Sequence, residues 1–529
     1  MMRFAMESIG RRIFVCALSA MAGLSSTAFA QESPAAAPTA TAPAASTATT
    51  APAAQGGALA ASSAQVRLDA LDPAFASGKA GAFALENASS FTTFSLSNGI
   101  PVVLRVNDAN HVRSLSIVLR GGTLMTSPAD AGIESLMLRE MARASREWPY
   151  DRLRAKLDET SASFATASVF DYSTYTLVCL DRYFDELLPI WAGTFEEPAW
   201  DPADFDRVLS DAKLALQKKD QDPWQATATE MNKDFFAGHP YAATPDGTEE
   251  SLASMSLAKV KERYAATYSA NRFFIVAVGD YDPASLKPAL EKAFGSIPDR
   301  ALAIPTGAPS FEGAVTAGLV KKEFEASKGV AYLRGDFAAP SPTAPDWAAA
   351  SLAARLYSDL LFNVVRDKYG AAYTPGAVVR SFGSNYGSIS VYKTSAPAKI
   401  KSYLDEAAGE LEAGRAMSVA PKPDEGRSPR EAVADVLPVY KAIYINESYG
   451  TIRTNAAVAG EIARSVVEFG DPRAWLLDVD RVAAVTADEL EKAFKTYFID
   501  APILWVALGP ADMLDKFDPA DYKGLGPAH

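Results

Sequence analysis

The feature that most constrains the fold is a match of the chain to itself. Residues 255–279 (MSLAKVKERYAATYSANRFFIVAVG) align without gaps to residues 485–509 (VTADELEKAFKTYFIDAPILWVALG), an offset of 230 residues. Ser256 and Thr486 fall together as helix N-caps, Tyr264 meets Phe494, Tyr268 meets Phe498, and VAVG meets VALG. Ser and Thr accept the unpaired first-turn amides of a helix. A matched cap, amphipathic helix and apolar strand therefore describe one unit made twice. The duplication predicts two homologous domains. Strands mixed with helices of uneven length make them α+β, each an antiparallel sheet with helices packed on one face.

Length and charge agree with this. A chain of 529 residues is too long for one core. A formal charge of −13 argues against a nucleic-acid binder, which would carry a basic face. At the N-terminus, Arg3, Arg11 and Arg12 precede an apolar run and the small-x-small site Ala28-Phe29-Ala30. This pattern predicts a signal peptide over residues 1–30, cleaved after Ala30, and export to a periplasm by the Sec or the twin-arginine route. Its removal takes away three arginines and Glu7, a net +2, so the mature chain would carry −15. No stretch of the mature chain is long and apolar enough to span a membrane. Cys16 leaves with the signal, and Cys179, in an apolar strand-like run, reads as a buried core thiol with no disulfide partner.

Residues 31–65, rich in Ala, Pro and Thr, cannot bury a core and read as a disordered tether, followed by an arm at 66–90. The first domain is expected at 91–298, opening on two β-rich runs around Asn98-Gly99. Pro and Gly mark a linker at 299–318. The second domain is expected at 319–519 with a tail at 520–529. Within it a long helix is expected over 345–368, stopped by Gly370, and an exposed loop at 418–429.

Residues 127–145 (SPADAGIESLMLREMARAS) read as a helix with Ser127 as N-cap, Pro128 at the first position and one apolar face. An apolar strand ending in Arg120-Gly121-Gly122 precedes it. This strand–GG–helix arrangement resembles the active-site entry of the zinc peptidases related to pitrilysin, insulin-degrading enzyme and the mitochondrial processing peptidase. Three further stretches carry the resemblance in order: 239–247 (HPYAATPDG), 268–280, and Arg366-Asp367-Lys368-Tyr369-Gly370-Ala371-Ala372-Tyr373, which matches R-x-x-x-G-x-x-Y. The resemblance as a whole spans about residues 91–517, nearly the whole mature globular chain. The family's helix carries H-x-x-E-H, two zinc ligands and a general base. Anchored on Gly132, those positions fall on Ser135, Leu138 and Arg139, none of which can serve. A fixed cation at Arg139 would repel a divalent metal. The resemblance places the remaining acidic positions near Asp211 and Asp204, though acids on an exposed helix face are more often solvated charge than function. The chain's three histidines, His111, His239 and His529, are scattered, and His239 sits in a turn.

The resemblance implies that Arg366 and Tyr373 contact a bound peptide. A guanidinium and a phenol can donate to a peptide carbonyl and stabilise charge developing on it. Taken singly, each also reads as ordinary structure, an Arg at a helix C-terminus and a strand Tyr. Family members close two such two-domain units around an unfolded peptide, and some divide the work, one chain holding zinc and the other the Arg/Tyr pair. The expectation is a non-catalytic subunit of a heterodimeric zinc peptidase, with no cofactor of its own, zinc in a paralogous partner, and peptide as substrate. The alternative is a catalytically dead scaffold or peptide-binding protein of the same fold.

Overall fold

The computed structural model describes Asn87, residues 90–418 and residues 430–526. The signal segment, the tether, most of the arm, the loop at 419–429 and His529 lie outside the described residues.

The first sheet holds β1 (Phe91–Ser95), β2 (Pro101–Val106), β3 (Val112–Arg120), β4 (Ser163–Ser168), β5 (Tyr172–Leu180) and β6 (Phe273–Gly279), in the order β1-β2-β6-β3-β5-β4. The second holds β7 (Gly318–Glu323), β8 (Ala331–Ala338), β9 (Thr374–Val379) and β10 (Tyr386–Thr394). A small ribbon, β11 (Arg415–Met417) with β12 (Arg430–Ala432), stands apart, and β13 (Leu504–Gly509) completes the second sheet in the order β7-β13-β8-β10-β9. Without β1 the two orders coincide strand for strand. In each sheet the last strand runs parallel to the first of the repeat, β6 beside β2 and β13 beside β7, and the remaining pairs are antiparallel. The 230-residue offset carries β6 onto β13, each lying between the first and second strands of its repeat, β2 and β3 or β7 and β8.

The helices that position the site are α1 (Ile133–Met141), α2 (Pro202–Gln221), α3 (Pro223–Phe235), α4 (Leu257–Thr267), α5 (Trp347–Leu361), α6 (Asn455–Phe469) and α7 (Ala487–Phe494). The matched caps form: Ser256 accepts the Lys259 amide at the start of α4, and Thr486 accepts the Glu489 amide at the start of α7.

Alternation along the strands divides the apolar residues between two faces. Leu115, Ile117, Leu119, Ile275 and Ala277 pack on the helices of their own half. Val103, Val118, Phe274, Val276 and Val278 face the other way, where α6 covers them with Val458, Ile462 and Val466. That helix comes from the second half. Conversely α3, from the first half, lies on the back of the second sheet, with Met231 and Phe235 against Tyr386 and Val506. The halves thus exchange one helix each, at nearly the repeat offset. Coverage on both faces explains why β6 reads FFIVAVG and is buried at every position.

Several boundaries differ from expectation. Ser127 does not cap the long helix: Pro128–Asp130 is a separate 3₁₀ turn, in which the Ser127 hydroxyl donates to Asp130 at 2.8 Å. α1 starts only at Ile133, after Gly132 at φ 82°. The turn is forced by packing, because Gly132 lies against the backbone of Gly247, and a Cβ there would stand 2.9 Å from its Cα. The linker at 299–318 is not loose, since Phe311 is buried in an aromatic cluster with Phe235, Phe236 and Tyr386. The tail beginning at 520 joins the second core through Tyr522, which packs on Trp505. The helix expected over 345–368 is α-helical to Leu361 and continues as a π-helix over Phe362–Lys368.

Candidate functional site

β3 delivers the chain to α1 through Gly121 and Gly122, and a buried ion cluster holds the helix in place. The Glu134 carboxylate accepts from Arg272 at 2.5 Å and from Arg263 at 3.1 Å. Arg272 also donates to the Arg120 carbonyl at the end of β3, and Arg263 to the Met125 carbonyl. Burial alone would raise the Glu134 pKa, but the two guanidiniums bring it below the usual carboxylate value.

With one face of α1 committed to the core, Ser135 and Arg139 emerge one turn apart on the other. They line a cavity of about 60 Å³ closed by Ala212, Ala215 and Lys219 of α2 and by Asp246. Leu138 does not join them, being wholly buried in the first core. Burial lowers the Arg139 pKa, while the charges of Asp211 and Asp246 raise it. Lys219 pairs with Asp246. Asp211 therefore acts on Arg139 by its charge from outside the cavity lining, whereas Asp204 belongs to a different contact, an ion pair with Arg143 at 2.8 Å. Beside that pair Glu140 is 3% exposed, with one carboxyl oxygen lacking a hydrogen-bond partner. Its pKa is pushed up to about 7 by burial and by the nearby Asp204.

The donor set does not fit zinc. A leucine sealed in the core stands at the base position and a guanidinium at a ligand position, beside a serine. Among the described residues no group of three or more His, Cys, Asp and Glu could hold a metal ion. His239 is structural: its Nδ1 accepts the Tyr241 amide and its Nε2 faces the Pro309 carbonyl at 2.8 Å, which fixes a neutral ring. Burial lowers its pKa accordingly. Cys179 is buried and its thiol is pushed up to about 12.

In the second half the chain leaves the π-helix, turns through Gly370 at φ 59° and enters β9. The turn folds Tyr373 back on the helix, so the Arg366 guanidinium lies 4.5 Å from the Tyr373 ring centre and 4.6 Å from that of Phe362. Tyr373 is 66% exposed, the most exposed of the large apolar and aromatic side chains among the described residues. Its hydroxyl is free to reach a ligand. Arg366 and Tyr373 are thus brought together as one unit, on a different half from Ser135 and Arg139. Sequence reasoning missed the Glu134 cluster and the Lys219–Asp246 pair. Asp246 stands in the quoted loop at 239–247, but nothing in its spacing pointed to Arg139.

Two family models match in tandem: "Insulinase (Peptidase family M16)" over residues 102–248 and "Peptidase M16 inactive domain" over residues 254–416. The chain belongs to the M16 peptidase family. Among M16 relatives, the non-peptidase homolog YmxG of Helicobacter pylori is 21% identical over 199 residues, 38% of this chain and 46% of that protein. The matched stretch thus spans about half of YmxG. The mitochondrial-processing peptidase subunit beta of Blastocladiella emersonii is 20% identical over 444 residues, 82% of this chain and 92% of that protein. In fold, a protease from Helicobacter pylori superposes with a TM-score of 0.67 at 16% identity, covering 79% of this chain and 99% of that one. The periplasmic protease PqqL of Escherichia coli superposes at 0.62 and 13% identity, covering 82% of this chain and 49% of that one. The match to a full-length M16 chain agrees with the two-domain α+β architecture. Among the described residues no helix is long and apolar enough to cross a membrane.

Proposed function

We propose that this chain is the exported, non-catalytic subunit of a divided M16 peptidase, presenting Arg366 and Tyr373 to a peptide held at the zinc site of a paralogous partner. The observation that carries the reading is a contrast within one chain. The helix at the family's metal position holds a buried leucine and a guanidinium, while Arg366 and Tyr373 stand assembled and accessible. Zinc in the partner would polarise the peptide carbonyl. The part of this chain is to donate hydrogen bonds to that carbonyl, with the ring of Tyr373 holding the guanidinium in place. The signal-like N-terminus supports a periplasmic location. The non-peptidase name of YmxG supports a chain without peptidase activity of its own.

The test is purification of the native protein from its cell extract. A zinc-bearing M16 paralogue carrying H-x-x-E-H should accompany it, and the pair should cleave an unfolded polypeptide. Arg366→Ala should lower kcat of the complex by about a hundredfold, the order seen for a lost oxyanion donor, with zinc content unchanged; Tyr373→Phe should act in the same direction. Unaltered turnover would refute the role and leave a scaffold or peptide-binding protein of the same fold. Stoichiometric zinc in the isolated chain would overturn both.

A further inference from the structure

The pocket at the lost metal position has features of its own. We propose that it is a carboxylate-binding subsite, in which Arg139 and Ser135 receive the carboxylate of a peptide. This rests on the reading that the chain handles peptides, but needs neither a partner's zinc nor Arg366.

Four observations carry it. The Arg139 side chain is half-buried at the pocket wall yet makes no hydrogen bond or ion pair among the described residues. Such a fork of donors, met by no protein acceptor, is matched best by a planar, bidentate one. The side chain points at space rather than at protein: the cavity of about 60 Å³ has small walls, Gly132, Ala212 and Ala215, and room for a carboxylate or a few waters. Ser135, one turn back on the same face, offers a hydroxyl donor to the same volume.

The fourth observation is the charge balance, which selects the ligand class. Arg139, Lys219 and Asp246 line the pocket, and the exposed Asp211 adds its charge from outside the lining. Lys219 and Asp246 neutralise each other as an ion pair, which leaves Arg139 attracted to Asp211 but not bonded to it. The lining thus carries one net positive charge, which Asp211 offsets from outside. It suits a single negative charge that can take over the guanidinium from Asp211, and it disfavours a phosphate or other polyanion, which two fixed carboxylates would repel. A metal cation is disfavoured by Arg139 itself.

The experiment uses the full chain and one labelled octapeptide of alanine and glycine in three forms: free C-terminal acid, C-terminal amide, and amide with Glu at the last position. Fluorescence anisotropy should give at least a tenfold preference for the free acid over the plain amide, the order expected for a charged bidentate contact. Arg139→Gln should abolish the preference, and Arg366→Ala should retain it. Ala215→Trp, which fills the pocket without altering a charge, should also abolish it and serves if Arg139→Gln does not fold. The Glu amide separates the two sources: binding equal to the free acid assigns the site to acidic side chains, weaker binding assigns it to chain termini. Equal binding of acid and plain amide by the unaltered chain, or a preference that survives Arg139→Gln or Ala215→Trp, overturns the proposal. Loss of partner activity in Arg366→Ala with the acid preference intact would leave both readings standing on their own evidence.

Discussion

Replacing Glu134 by Gln tests whether α1 is held by charge. Arg272 is wholly buried and the Glu134 side chain is 8% exposed, while Arg263 retains 13%. Both guanidiniums bond to one carboxylate oxygen. Gln keeps the shape and removes the charge, so Arg272 would be left as a buried cation with only a neutral acceptor and the Arg120 carbonyl. Breaking a buried pair in this way costs about 3–5 kcal/mol. Arg263 loses less, because its bonds to Met125 and Thr126 persist. Urea denaturation followed by tryptophan fluorescence would measure the loss. The double variant Glu134→Leu, Arg272→Met removes both charges and should recover most of it, since a buried pair replaced by apolar groups is often neutral. The pH dependence has a defined sign. The folded pKa of Glu134 lies below its unfolded value, so its contribution is present above the unfolded carboxylate pKa, about 4.3, and fades as pH falls through the folded one. The gap between wild type and Glu134→Gln should therefore narrow under acid. A loss under about 1 kcal/mol, below the cost of stranding a buried cation, would refute the reasoning, as would a double variant that sums the two single losses.

Glu140→Gln should stabilise the protein at pH 8 by up to about 3 kcal/mol, at roughly 1.4 kcal/mol per pKa unit, and have little effect at pH 5. A carboxyl raised to about 7 adds stability at low pH and loses it as pH rises through that value; melting curves at the two pH values would show the crossover, and an equal effect at both would contradict it. Leu138→Glu, which restores the missing acid of the family motif, should destabilise the first half by about 3 kcal/mol or more, because the site is sealed core; urea midpoints decide, and an unchanged midpoint would place residue 138 in the cavity. Gly132→Ala should cost about 2 kcal/mol or more, combining a positive φ with a Cβ pressed on the Gly247 backbone, and wild-type stability would show that the turn is free to relax.

Local chemistry was legible in the sequence because it depends on near neighbours. The caps at Ser256 and Thr486, the continuous apolar run of β6, the Asn98-Gly99 turn and the 230-residue repeat all appear as read. Loss of the family's metal donors could also be read from residue types alone. Boundaries set by distant packing could not. Ser127 satisfies every local rule for a cap, yet α1 begins six residues later, because the close approach of Gly132 to Gly247 forces a separate turn. The linker's Pro and Gly content gave no sign that Phe311 buries itself between the halves.

The sequence by itself determined that there are two like halves and that residues 135, 138 and 139 are not the family's metal donors; it read each sheet as covered on one face only, and the second layer came from packing. Only the tertiary structure decided which helix covers which sheet, since α3 and α6 cross to the opposite half and amphipathic patterning does not name a partner. It also decided what the lost metal position became. Ser135 and Arg139 share a cavity with Lys219 and Asp246, which lie 80 or more residues away along the chain, while Leu138 turns into the core. Charge acts through distance in space, and distances between remote segments exist only once the core has packed.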